Sequence, residues 1–313
     1  MEIMSLINAL PGAAAQGLIW GIMAIGVYLT FRILDIADLT VDGTMCTGGA
    51  VCIMMLMSGH NIWISMLAAT GAGMLAGLAT GIFHTVMGIP AILAGILTQL
   101  SLYSVNLKIM GKANQAVNVN KYDLLVSLRY IKDVPFYQNT ILIVAIFIVV
   151  LIALLYWFFG TELGCSLRAT GCNPNMSRAQ GINTDVSKVL GLMLSNGLVA
   201  FSGALLAQYQ GFSDVQMGRG AIVIGLAAVI IGEAAFGKIF HNFGFRLLGV
   251  ALGSIIYYLV LQVVIWRGID TDLLKLLSAV VVAVFLAIPT WKRRYLQSSF
   301  RAKKPAAAGK ERA

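Results

Sequence analysis

GTMCTGGAVCIMMLMSGHNIWISMLAATGAGMLAGLATGIFHTVMGIPAILAGILTQLSLYSVNL, residues 43–107, holds no Asp, Glu, Lys or Arg in 65 consecutive positions. A water-facing domain cannot be built that way, because about a quarter of an average soluble sequence is charged. A spanning helix needs about 20 apolar residues at ~1.5 Å rise each. The run therefore accommodates about three crossings, broken by Ser-Gly-His-Asn at 58–61 and Gly-Ile-Pro at 88–90.

The rest of the chain has the same texture. Further charge-free runs cover Ile3 to Phe31, Val134 to Thr161, Val189 to Ser213 and Leu247 to Trp266, and only 11% of the 313 residues are charged against 59% hydrophobic. Hydropathy and turn signals place spans near 12–34, 43–58, 62–88, 91–110, 139–159, 188–210, 217–236, 245–266 and 273–290. The expected fold is all-α, a polytopic membrane helix bundle of about nine spans with membrane lipid as its solvent. Residues 1–290 form the transmembrane domain and 291–313 a basic tail. The net charge of +9 owes much to Trp-Lys-Arg-Arg at 291–294 and Arg-Ala-Lys-Lys at 301–304. Basic residues beside a final span mark a cytoplasmic end rather than a nucleic-acid surface. The first Lys or Arg is Arg32, so the first span lacks the basic start of a cleaved leader and is expected to be retained.

Nine crossings put the N-terminus outside and make 160–187 and 237–244 cytoplasmic, which suits Arg168, Arg178, Lys188 and Lys238. The loop 111–138 suits its external place less well, since it carries Lys112, Lys121, Arg129 and Lys132 against Asp123 and Asp133. Cys46, Cys52, Cys165 and Cys172 lack metal-type pairing and read as free thiols. His60, His84 and His241 are isolated. No metal site, cofactor or catalytic constellation is expected.

Two segments interrupt apolar helices with polar, glycine-bearing sequence: LDIADLTVDGT at 34–44 and GFSDVQMGRGA at 211–221. In the nine-span topology they open toward opposite sides, as an inverted repeat would have them. Unwound backbone at membrane depth survives only where it lines a cavity or is buried in protein, so matched breaks point to a transport path. On that reading Asp38, Thr40, Asp42, Gly43, Ser213, Asp214 and Gly218 line it. The other reading is two ordinary loops with N-caps at Asp42 and Ser213. Gly73, Gly77 and Gly81, four residues apart, predict one close helix contact.

The cytoplasmic loop holds a third signal. Asn173 suits an N-cap, Pro174 a first helical position and Gly181 a stop, so 173–181 predicts a short helix between two spans. Such a helix can seat in a soluble partner and carry its motion to the membrane. The run LRATGCNPNMSRAQGIN at 167–183, with LVAFSGALLAQ at 198–208, resembles the permeases of branched-chain amino acid and ribose-type ABC importers. ILDIADLT at 33–40 and IGLAAVIIG at 224–232 resemble them more loosely.

That resemblance implies a permease working with two cytoplasmic ATP-binding subunits, an external solute-binding protein and a second copy or sister subunit. It places the ATPase contact on Arg168, Asn173, Pro174, Met176, Arg178, Gly181 and Ile182. Asp38, Thr40, Asp42 and Gly43 resemble a branch with suspected importers of tryptophan and other aromatic amino acids. The Asn-Phe-Ala-His-Gly-like segment usual in branched-chain permeases is not present there. Glu233, after Gly232, is expected to pair with Lys238 or water. No Gly-x-x-x-x-Gly-Lys-[Ser/Thr] occurs, so energy must come from a partner. The expected function is a permease for an amino acid in the cell inner membrane. Sugar or nucleoside import remains open, as does an ion-coupled transporter using Asp38, Asp42, Asp214 and Glu233. A non-transporting scaffold would have little use for the polar breaks.

Overall fold

The computed structural model describes residues 3–119, 121–122, 124–128 and 139–267, with a few positions between 276 and 287. The span expected at 273–290 otherwise lies outside the described residues, as do the tail 291–313 and the 129–138 part of the loop 111–138.

The chain is a helix bundle. Helix α1 (Ile3–Tyr28) ends in a π-helical turn (Leu29–Ile33), and α2 (Val41–Met57), α3 (Ile62–Thr85) and α4 (Ala91–Met110) follow. Strand β1 (Asn114–Ala116) precedes α5 (Thr140–Phe158), α6 (Glu162–Cys172), α7 (Pro174–Ala179) and α8 (Thr184–Gln210). Strand β2 (Phe212–Asp214), α9 (Ala221–Phe236) and α10 (Phe243–Trp266) complete the described elements. Among the described residues six helices are long and apolar enough to cross a bilayer, whereas α2 and α9 are shorter. At 17 and 16 residues these two extend only about 25 Å, short of a hydrocarbon core of about 30 Å. The loop 160–187 contains two helices, α6 and α7, where one short helix was expected.

The expected sequence breaks act as helix boundaries. Asn61 caps α3 by accepting a hydrogen bond from the Trp63 amide at 3.0 Å, and Asn139 does the same for α5 from Ile141 at 3.0 Å. Asn183 caps α8 through the Asp185 and Val186 amides. Gly111 and Gly211 end α4 and α8 at φ +69° and +77°, the left-handed conformation that closes a helix.

The fully buried α8 residues Ser195, Asn196 and Ser202 place α8 at the centre. Gly73, Gly77 and Gly81 of α3 press in turn on Asn196 and Ala200, on Leu192, and on Val189, so α3 runs antiparallel to α8. Thr44 meets Asn196 and Gly48 meets Ala200, so α2 runs parallel to it. Helix α1 is tied across by hydroxyls: Ser195 and Ser202 of α8 donate to the Gly26 and Ile19 carbonyls at 2.7 Å each, and Ser254 of α10 donates to Gly17 at 2.6 Å. Such bonds and close glycine contacts replace the hydrophobic drive that is missing between helices in lipid. The outer faces stay apolar: Leu67 and Leu75 on α3 and Ile146, Val149 and Leu154 on α5 are all exposed.

A side chain at Gly77 would run into the Leu192 backbone, while Gly71 on the same helix has open space beside it. Gly77→Val is expected to cost about 1–3 kcal/mol through overpacking and to lower the thermal midpoint of the detergent-solubilised protein. Gly71→Ala is the matched control, expected to leave it in place. Equal midpoints for the two variants would contradict the α3–α8 packing.

Candidate functional site

The first break turns the chain back into the bundle. After the π-helical turn, Leu34–Thr40 is irregular, and Asp35 takes φ +56°, a left-handed conformation that aspartate tolerates better than most residues. Helix α2 then starts beside Asn196, 12 residues into α8 from Thr184, about 18 Å along that helix. The break thus carries the backbone to the middle of the bundle, where polar groups need partners.

Asp38 supplies several of them and is itself only 2% exposed. Its Oδ1 accepts from the Thr40 amide at 2.9 Å, and its Oδ2 accepts from Asn196 Nδ2 at 2.7 Å. The Asn196 Oδ1 in turn accepts from the Thr44 hydroxyl at 2.7 Å. A second chain runs through hydroxyls, with Thr40 and Thr80 sharing a hydrogen bond at 2.7 Å and Thr80 donating to Thr98 at 2.9 Å. Together they join the break to α2, α3, α4 and α8.

The second break approaches from the other end. Strand β2 pairs antiparallel with β1, Ser213 opposite Gln115 and Asp214 opposite Asn114. Ser213 is buried, and Asp214 Oδ1 accepts from the Gln216 amide at 2.6 Å. From there the chain descends to Gly218, which lies against the Asp42 carbonyl and donates its amide to Cys46 Sγ at 3.2 Å. Helix α9 begins here. Asp42, in the first turn of α2, accepts from the Gly220 and Ile222 amides at 2.9 and 3.0 Å, satisfying the free donors that every helix start carries. The two half-helices meet start to start, α2 leading to the ribbon end and α9 to the α7 end. A carboxylate is favoured there because each start carries about half a positive charge.

Beside this junction lies a cleft of about 160 Å³ lined by Asp42, Gln99, Tyr103, Asn106, Gln216 and Arg219, among others. Gly43 brings α2 close to α4, since a side chain on it would meet Leu102 and the Gln99 backbone.

At the other end, the π-helical turn, α6 and α9 converge. Gly171 of α6 packs directly on the Ile33 carbonyl. Arg32 binds Glu233 through Nε at 2.8 Å and Nη2 at 2.6 Å, so Glu233 pairs with Arg32 and not, as expected, with Lys238. Arg168 turns inward, its guanidinium 4.5 Å from the Phe243 ring centre. Helix α7 has its expected cap: Asn173 accepts from the Met176 amide at 3.0 Å, with Pro174 at the first turn. Gly181 has φ +81°, Ile182 donates its amide to Ser177, and Arg178 donates to Thr184 at 2.8 Å and pairs with Asp185 at 3.4 Å. Met176 is 58% exposed.

The residues singled out from sequence therefore form three groups. Asp38, Thr40, Asp42, Gly43 and Gly218 gather at the mid-bundle junction, Ser213 and Asp214 sit above it on the ribbon, and the loop residues surround α7. Sequence reasoning missed Asn196, Asn106 and the Thr80–Thr98 pair, whose only signal is an amide or hydroxyl inside an otherwise apolar helix. Among the described residues no group of His, Cys, Asp or Glu is placed to hold a metal ion.

Long apolar helices around a polar junction of half-helices define a multi-pass membrane transport protein. The chain belongs to the family described as branched-chain amino acid transport system permease component, whose model matches residues 10–289. It is 39% identical over 272 residues to a tyrosine transport system permease protein of Clostridioides difficile, covering 87% of this chain and 88% of the relative. It is 34% identical to an uncharacterized protein of Rickettsia prowazekii, over 92% of this chain and all of that one. A fructose import permease protein of Bifidobacterium longum is 26% identical, over 85% of this chain and 73% of the relative. The chain is accordingly an ABC-importer permease, a transport component rather than an enzyme.

Proposed function

We propose that this permease carries an amino acid across the inner membrane. The observation that supports it most is the meeting of two half-helix starts around Asp42 in mid-bundle. Discontinuous helices whose starts face a central point are how membrane transporters build a solute path. The 39% identity to a tyrosine permease, against 26% for a fructose permease, favours an amino acid over a sugar.

On this reading Asp38, Thr40, Asp42, Gly43, Ser213, Asp214 and Gly218 belong to the path, and the two breaks, entering from opposite ends, are the matching parts of an inverted repeat within a nine-span domain ending near residue 290. A second copy of the chain completes the path. The α7 end faces the cytoplasm, as does the basic tail, and α7 with its exposed Met176 seats in an ATP-binding subunit. A solute-binding protein delivers cargo at the ribbon end. ATP-driven movement of α7 passes through α6 and the Gly171–Ile33 contact to the first break, opening the path to each side in turn.

Uptake of labelled tyrosine into cells expressing the permease with its ATP-binding subunit and binding protein tests the function. Expected is uptake that is lost when any one of the three is absent. Uptake of fructose but no amino acid, or sodium- or proton-driven uptake by the permease alone in liposomes, would overturn it. Orientation has its own test. Cys165 and Cys172 are exposed while Cys46 and Cys52 are buried, so a membrane-impermeant thiol reagent is expected to label inverted vesicles and spare intact cells. Labelling of intact cells would reverse the topology.

A further inference from the structure

The cleft beside the junction is more specific than a path needs to be. Asn106 of α4 lines it, is fully buried, and has an Oδ1 without a hydrogen-bond partner among the described residues. A buried amide oxygen left unpaired costs about 1–3 kcal/mol, which a ligand donor would recover. The amide is held in place from its other side, where Nδ2 donates to the Gly43 carbonyl at 3.4 Å. Gly43 follows Asp42, and Asp42, Gly43 and Asn106 line the same cleft, which therefore holds two acceptors, a carboxylate and an amide oxygen.

A cation faces them. Arg219 directly precedes Gly220, whose amide donates to Asp42, and it lines the same cleft. Its Nη1 donates to Gln216 Oε1 at 3.3 Å, and among the described residues it makes no salt bridge. Its side chain is exposed at the edge of the cleft, so the guanidinium is available to a bound carboxylate. On the mouth side, Tyr103 lies one turn before Asn106 on the same α4 face, 48% exposed, with Leu100 64% exposed beside it.

Acceptors on one side, a fork of donors on the other and an aromatic rim match one chemistry. We infer that the cleft is a subsite for a zwitterionic α-amino acid with an aromatic side chain. The ammonium group binds Asp42 and Asn106 Oδ1, the carboxylate binds Arg219, and the ring lies over Tyr103 and Leu100. A sugar has no charge for either pole. An inorganic cation would use the acceptors but leave Arg219 idle. A volume of about 160 Å³ suits one small molecule and excludes a peptide. This subsite rests on the reading of the chain as an amino acid permease, and it gives the membrane subunit a share in the selectivity.

Saturation-transfer NMR on the permease and ATP-binding subunits in nanodiscs, without the binding protein, detects weak ligands directly. The probes are tyrosine, tyramine, which lacks the carboxylate, and 3-(4-hydroxyphenyl)propionate, which lacks the ammonium. The unaltered complex is expected to bind tyrosine at least about tenfold more tightly than either analogue, the worth of one charge-assisted hydrogen bond. Arg219→Gln is expected to bind tyrosine and tyramine alike, while Arg219→Lys keeps part of the preference. Asn106→Leu is expected to narrow the gap between tyrosine and the propionate. A misfolded variant would lose all binding and not one preference, so the pattern separates recognition from damage. Equal binding of the three probes by the unaltered complex, or full discrimination by Arg219→Gln, would overturn the subsite. Tyrosine uptake by cells, with no binding to the nanodisc complex, would overturn the subsite and leave the amino acid function standing.

Discussion

Replacing Asn196 with leucine is expected to destabilise the permease more than any change on its surface. Leucine has the same branched heavy-atom shape, and its bulkier methyl groups add some overpacking to a loss that is mainly polar. Asn196 donates to Asp38 Oδ2 at 2.7 Å and accepts from Thr44 at 2.7 Å. Leucine leaves the buried Asp38 carboxylate without that donor, while the Thr44 hydroxyl keeps the Thr40 carbonyl at 3.1 Å; an unsatisfied buried group costs about 1–3 kcal/mol, more when charged. A total stability of about 5–15 kcal/mol does not absorb such a loss easily. Heating the solubilised protein and following its monodisperse fraction by size-exclusion chromatography reads the effect. Asp38→Asn in the Asn196→Leu background is expected to recover part of the loss, because coupled neighbours are not additive. A midpoint unchanged by Asn196→Leu would show that the network does not hold the break.

The second large effect is expected in coupling. Gly171 lies so close to the Ile33 carbonyl that any side chain there must push α6 away from the end of α1. Gly171→Val is expected to lower transport about tenfold, the equivalent of about 1.4 kcal/mol of lost coupling, while ATP hydrolysis by the assembled complex continues. Cys172→Ala, at the exposed neighbouring position, is expected to transport normally. Transport by Gly171→Val at the unaltered rate would remove the α6–Ile33 contact from the mechanism.

Much of the architecture was legible because lipid imposes long apolar runs and punishes misplaced polar sequence. The run 43–107 resolved into α2, α3 and α4, and the small signals at Asn61, Pro90, Asn173 and Gly181 marked real helix boundaries. Gly73, Gly77 and Gly81 announced a close contact from spacing alone. Depth was not legible. That the 34–44 and 211–221 breaks bring two helix starts together depends on the hydrogen bonds from Gly220 and Ile222 to Asp42, some 180 residues apart. Local patterns carry no such information. For the same reason Asn196 and Asn106 passed unnoticed: each is one amide in an apolar helix, and only partners 158 and 63 residues away give it meaning. The pairing of Glu233 escaped because Lys238 was near in sequence while Arg32, 201 residues distant, was near in space.

The junction of α2 and α9 also bears on what the protein refuses. Two helix starts contribute about one positive charge between them, the Asp42 carboxylate offsets it, and Arg219 leaves the balance positive. That surplus favours a solute whose own carboxylate answers Arg219 over a lone sodium, potassium or hydronium ion, which meets Asp42 with the positive charges still beside it. An idle importer built this way is expected to leak few cations and so to leave undisturbed the membrane potential on which the rest of the cell's energy economy runs.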